Sequence, residues 1–300
     1  MPLIRLFGPV FSLAARTCER SAAVADMMRK LNFKAKRDII QRIRPESIAR
    51  EVVADCGGVL YRLDLRDNVQ RELYFGVYER GEIRDALELI PSGGICLDVG
   101  ANNGAFAVQF AKKVGEKGVV HAFEPDSVVC SRLKANCLLN GFETRFKCHQ
   151  LAVSNVTGAL TFYKSDSRHS GWGSLTEFKD IAVKAETVHA VTLDDFLARE
   201  NISRVDFLKV DVEAHEPELL EGARNSLRNH VFRFILIEFN GFRLKERGKS
   251  LGDFFSPLLT AGYSVVGSRA GKLDEMLTGS IPTESILINF LFGTPEGGSS

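Results

Sequence analysis

The sequence predicts an α/β fold. The expected architecture is a Rossmann-like, seven-stranded, mostly parallel sheet with helices on both faces and an antiparallel last strand. A helical N-terminal extension and a β-hairpin precede it. Three observations carry this reading. From residue 93 onward, short apolar runs alternate with segments of helical period, the pattern of a parallel sheet covered on both sides. Residues 93–125, GGICLDVGANNGAFAVQFAKKVGEKGVVHAFEP, read as strand, Gly-rich turn, helix, strand and then an acid at the second strand's end. Residues 232–239, FRFILIEF, are apolar almost throughout, as in a strand buried on both faces.

Residues 17–50 are basic and helical in period, with Val24, Met27, Met28 and Leu31 on one face. Residues 52–66 alternate around Gly57-Gly58 and predict a hairpin, and 68–90 predict two short helices. The core then runs strand 95–99, helix 105–114, strand 119–123, helix 126–140, strand 145–153, an edge pair near 160–163 and strand 205–210. A helix from Pro217 to about Asn229, strand 232–239, helix 251–261 and two final strands at 263–267 and 285–292 complete it. The expected division is an extension over 1–50, a lead-in over 51–90, the main domain over 91–292 and a disordered tail over 293–300.

Net charge is +1 over 300 residues, so bulk attraction to nucleic acid or anionic lipid is not expected. Residues 1–50 carry eleven Lys/Arg and four Asp/Glu, which reads first as a solvated helical surface. The six cysteines are scattered without zinc spacing; Cys96 and Cys137 read as small core residues. A reducing, cytoplasmic setting is expected, with no membrane span. The sequence is silent on oligomeric state.

In a doubly wound sheet, ligands bind beyond the carboxyl ends of the strands. That rule selects 98–104, 124–125, 151–154, 211–215 and 238–240. In the first of these, Gly100 and Gly104 let backbone approach a ligand, and the following helix presents its free N–H groups. The spelling Gly100-Ala101-Asn102-Asn103-Gly104 lacks the middle glycine of a dinucleotide turn, and Asp98 precedes it. An acid there disfavours a pyrophosphate and favours the cationic tail of S-adenosylmethionine. Glu124-Pro125 at the next strand end suits ribose hydroxyls.

LDVGANNGAFAVQFA, HAFEPD, LAVSNVTGALTFY, VDFLKVDVEAHEPELLEGA and FILIEFN together resemble the successive motifs of the FkbM-type methyltransferases, over about residues 60–292. The resemblance implies a class I S-adenosylmethionine-dependent enzyme. It implies that Asp98, Gly100, Asn102 and Gly104 surround the methionine part, with Ala101 in the same turn. Glu124 and Pro125 would hold the ribose, and Ala152 would lie near the adenine. One departure is Ala214, where the family commonly has Gly.

Lys209, Asp211, Glu213 and His215 occupy alternate positions at a strand end. An extended chain projects them to one side, where they form a candidate base and positioning cluster for methyl transfer to a hydroxyl. Trp172, in the polar loop 165–175, and Glu238 and Asn240 are candidate acceptor contacts. No residue is assigned as a metal ligand, although Asp211, Glu238 and Asn240 are oxygen-rich enough to make Mg²⁺ an option. The acceptor class expected is a small molecule or glycan. A non-catalytic binding or scaffold domain of the same fold, and a dinucleotide oxidoreductase, are the competing readings.

Overall fold

The computed structural model describes residues 12–18, 22–30, 36–48, 51–165, 173–177 and 183–294. Helices α1 (residues 12–18), α2 (Ala22–Lys30) and α3 (Lys36–Ile40) come first. Strands β1 (Glu51–Asp55) and β2 (Leu60–Asp64) pair antiparallel and turn at Gly57 and Gly58, both left-handed at φ 73° and 80°. Helices α4 (Asn68–Tyr74) and α5 (Arg80–Leu89) follow. Then β3 (Ile95–Val99), α6 (Ala107–Val114), β4 (Val119–Phe123) and α7 (Ser127–Leu139) lie within two residues of their expected bounds. The Asp126 carboxylate starts α7 by accepting the N–H groups of Val128 and Val129, which satisfies donors that a helix start otherwise leaves unpaired.

The main sheet runs β11-β12-β10-β9-β3-β4-β5. Its β5 (Phe146–His149), β4, β3, β9 (Phe207–Val210) and β10 (Phe234–Asn240) are parallel. The last strand, β12 (Leu287–Gly293), is antiparallel to both β10 and the short β11 (Ser264–Val265). Alternate residues of each central strand enter two separate cores. Cys96, Phe207, Phe234 and Leu236 pack on one side of the sheet, and Leu97, Leu208, Ile235 and Ile237 on the other. Burial on both faces is what selects apolar runs here rather than alternation.

The structure corrects four parts of the reading. The expected strand 145–153 is two strands. β5 ends at His149, and β6 (Ala152–Val153) joins a second, three-stranded sheet in the order β6-β8-β7. There, Ser154 N–H donates to Val191 O, and β7 (Gly158–Ser165) pairs with β8 (Val183–Val191), a strand not anticipated. The expected helix after Pro217 is broken into α9 (Glu216–Glu221) and α10 (Arg224–Arg228). At the break, a Cβ on Gly222 would lie 2.1 Å from Ser154 O, so close backbone approach forces a glycine and ends the helix. Three further helices, α8 (Leu193–Arg199), α11 (Gly241–Glu246) and α13 (Ala270–Leu277), were also unforeseen; α12 (Leu251–Thr260) was expected. Cys96 and Cys137 are buried as expected. Among the described residues, no helix is long and apolar enough to cross a membrane. Trp172, the rest of 166–172 and the tail 295–300 lie outside the described residues.

Candidate active site

The carboxyl ends of β3, β4, β9 and β10 open into one cavity of about 650 Å³, which β6 also lines. All five segments selected by topology contribute to it.

On one side lies the turn after β3. Gly100 and Ala101 donate their N–H groups to Phe123 O at 3.1 and 2.9 Å. Gly100 has φ 78°, and a Cβ there would sit 1.7 Å from Asp211 O; no other residue fits this approach. Asn102 is left-handed at φ 48° and donates its N–H to Glu124 Oε2 at 3.0 Å. The other Glu124 oxygen accepts Asp126 N–H at 2.9 Å. Burial pushes the Glu124 carboxyl up to about 8, against the pull of those two backbone donors. A carboxylate has about four acceptor sites, so Glu124 still has capacity for a ligand's hydroxyls. Pro125, Ala152 and Asn103 also line this side. Asn103 is 1% exposed, yet neither its side-chain oxygen nor its nitrogen has a partner. A buried amide without a partner is costly, and a bound polar group would satisfy it.

Gly104 and Asp98 are absent from the lining. Gly104 is a packing residue: a Cβ there would meet Leu133 Cδ1 at 2.7 Å and Val108 Cγ2 at 2.8 Å. Asp98 is 1% exposed and stands behind Lys209, its register partner on β9. Burial raises its carboxyl to about 6, against the opposing pull of Lys209.

On the other side is a charged cluster. Lys209 is 3% exposed. Its Nζ lies 3.0 Å from Asp211 Oδ2 and 3.9 Å from Asp98 Oδ1, above the Phe106 ring at 5.2 Å. Burial pulls the ammonium's pKa down, but Asp211, Asp98 and Glu79 outweigh it and hold Lys209 above its ordinary value. Carboxylates of Glu79, Asp211 and Glu238 converge to within 4.8 Å of one another. Burial raises Glu79 to about 7 and drives Glu238 and Glu213 well above the usual range.

Glu79 was not singled out from the sequence. It precedes α5 in a left-handed conformation, φ 36°, and its side chain makes no cap. Asn289 hydrogen-bonds it, while its Oε2 is buried without a partner. Arg269 clamps this corner by binding Asn289 O and Glu82. The only available signal was an acid between two short helices feeding the core.

The projected row Lys209–Asp211–Glu213–His215 does not persist. The extended chain ends at Val210, and Glu213 and Ala214 are left-handed at φ 52° and 67°. Glu213 and His215 still line the cavity, but His215 is committed elsewhere. Its Nε2 is 2.9 Å from Ser154 Oγ and its Nδ1 faces Glu218 at 3.7 Å. Burial lowers its pKa to about 4. Glu218 is held at about 2, against burial, by Arg247 and Lys249. This neutral imidazole ties the 211–216 loop to the end of β6. Asn240 lines the cavity, but its side-chain oxygen caps α11 through Arg243 N–H at 3.1 Å. Glu79 therefore takes the place the sequence gave Asn240 beside Asp211 and Glu238. We assign no metal to this trio, because the Lys209 ammonium already supplies a cation at Asp211.

Residues 98–265 match the methyltransferase FkbM domain. The chain is 30% identical over 219 residues to the 31-O-demethyl-FK506 methyltransferase FkbM of Streptomyces tacrolimicus, covering 64% of this chain and 80% of that one. It is 26% identical to the 2-O-methyltransferase NoeI of Sinorhizobium fredii, over 51% of this chain and 65% of that one. To the hexuronic acid methyltransferase AglP of Haloferax volcanii it is 25% identical, over 54% and 62%. The chain thus spans under two thirds of the last two relatives. A solved SAM-dependent O-methyltransferase from Thermotoga maritima superposes with a TM-score of 0.36 at 13% identity, over 73% of this chain and 66% of that one.

Proposed function

The chain belongs to the methyltransferase FkbM family, and from that premise we propose that it transfers the methyl group of S-adenosylmethionine to a hydroxyl of a small molecule or glycan. The observation that carries the reading is a single cavity with two unlike sides: a backbone-held turn ending on Glu124, and carboxylates gathered about Lys209. S-adenosylmethionine, when bound, supplies an activated methyl on a sulfonium. Gly100, Ala101, Asn102 and the unpartnered Asn103 amide suit its methionine part. Glu124 beside Pro125 suits the ribose, and Ala152, which lines the same cavity, suits the adenine.

The acceptor hydroxyl needs a base and an aligned approach. Asp211, Glu79 and Glu238 surround the space where it would stand, and one of them takes its proton. Lys209 pairs with Asp211 at 3.0 Å and orients its carboxylate. It also offsets part of the repulsion of Asp211 on Glu79. Burial raises Glu213 and Glu238 well above the usual carboxylate range, and Glu79, raised to about 7, can receive or release a proton near neutral pH. Glu213 and Asn240 shape the acceptor side, and His215 positions the loop. By their names the relatives methylate 31-O-demethyl-FK506, a 2-O position and a hexuronic acid, and these motivate the acceptor class.

Two measurements test this. Calorimetry with S-adenosylhomocysteine should show binding at one site per chain; a folded protein that does not bind sinks the reading. A transfer screen with methyl-labelled cofactor and host extracts should then yield a labelled ether; labelled amine or carboxyl products alone would replace the hydroxyl acceptor.

A further inference from the structure

We propose that Cys130 and Cys148 are a dithiol that closes to an intrachain disulfide, and that closing it weakens the nucleoside side of the cavity. The second half rests on the reading of Glu124 given above. Both residues are free thiols, one in the first turn of α7 and one on β5, with their Sγ atoms 3.1 Å apart. A disulfide needs about 2.05 Å, so closure brings the two sulfurs about 1 Å closer together. Cys130 is buried, whereas Cys148 is half-buried and gives a small oxidant its approach. The contact between the two sulfurs lowers the Cys130 thiol and raises the Cys148 thiol, so Cys130 holds the larger fraction of the reactive thiolate form.

The pair sits directly behind the Glu124 turn. Glu124 N–H donates to the carbonyl of His149 at 3.0 Å, the residue after Cys148. Asp126, which caps the turn holding Cys130, donates its N–H to Glu124 Oε1. Val128 and Val129, the two residues before Cys130, line the cavity. A pull on Cys130 toward β5 therefore displaces the groups that set the Glu124 carboxylate and the cavity wall together.

With hydrogen peroxide as oxidant, one sulfur opens the O–O bond and becomes a sulfenic acid as the first water leaves. The second sulfur then attacks it, and the hydroxyl departs as a second water. The two thiols lose two protons and two electrons, and the peroxide gains them.

The test uses the full chain, treated with hydrogen peroxide or with dithiothreitol. The oxidised protein should lose two hydrogens in intact mass, and peptide mapping should join Cys130 to Cys148. Calorimetry should find S-adenosylhomocysteine bound about tenfold more weakly, with dithiothreitol restoring the reduced value. Cys148→Ser, or Cys148→Ala should the first fold poorly, should keep the reduced affinity under peroxide. Absence of the Cys130–Cys148 link overturns the proposal, as does a link without change in affinity or an equal loss in the variants. If the reduced protein does not bind S-adenosylhomocysteine, the methyltransferase reading falls and takes the affinity claim with it. The disulfide still stands or falls on the peptide map.

Discussion

The two sides of the cavity are built by opposite means. The side proposed for the nucleoside is made of backbone: N–H groups of Gly100 and Ala101 bound to Phe123 O, and Glu124 held by the N–H groups of Asn102 and Asp126. Its parts come from two adjacent strands and lie close together in sequence. The side proposed for the acceptor is made of side chains from three separate elements, Glu79 before α5, Lys209 and Asp211 at the end of β9, and Glu238 on β10. There, charges are stressed by burial and left-handed residues crowd the loop. The contrast teaches that one side is a fixed consequence of the fold, whereas the other is an electrostatic balance open to change without refolding.

Breaking the joint between the two sides gives the largest expected effect. Gly100→Ala drives a Cβ into Asp211 O at a left-handed position, and should cost on the order of 3 kcal/mol or more. Denaturant unfolding measures it, and S-adenosylhomocysteine binding should be lost with it; a variant of unchanged midpoint would disprove the close approach. Next, Asp211→Asn should separate the sides. Turnover on the acceptor found in the labelling screen should fall by about 10²–10⁴-fold, while S-adenosylhomocysteine affinity stays near wild type. Equal losses in both would mean that Asp211 belongs to the cofactor side.

A pH series sharpens the nucleoside side. Glu124 is raised from 4.5 to about 8 in the fold, so the native state binds its proton more tightly than the unfolded chain. Its contribution to stability is full below about 4.5, is lost as pH rises toward about 8, and is constant beyond. Glu124→Gln should flatten that decline in urea midpoints measured from pH 5 to 8; an unchanged slope would show that Glu124 is ionised throughout. A smaller effect is expected at Ala214, left-handed at φ 67° where L residues are strained. Ala214→Gly should add less than about 1 kcal/mol of stability, read as a small rise in melting temperature. Smallest of all, a chelator should leave turnover on the acceptor unchanged, because Lys209 already serves as the cation at Asp211. Loss restored by Mg²⁺ would return the carboxylate trio to metal binding.

The legible parts of the molecule were those in which local chemistry and topology coincide. Strands β3 and β4 lie where the apolar runs placed them, because strands buried on both faces admit little else. Gly100, Glu124 and Asp211 followed from a single rule, that ligands sit beyond the carboxyl ends of parallel strands. The strand β8, VKAETVHAV, was missed because a sheet lying outside the main one buries too little of it to print a clear pattern.

What the sequence determined by itself was therefore the doubly wound sheet, the Gly-rich turn after β3 and the acid at the end of β4, since each depends on neighbours a few residues away and on periodicity. The tertiary structure alone decided that Glu79 stands beside Asp211, that His215 turns to Ser154, that Asp98 is sealed behind Lys209, and that Cys130 meets Cys148. Those outcomes depend on which side chains share a small buried volume. There, a left-handed residue or a single close approach of backbone, as at Gly222 against Ser154, redirects a chain that local pattern would have carried straight on.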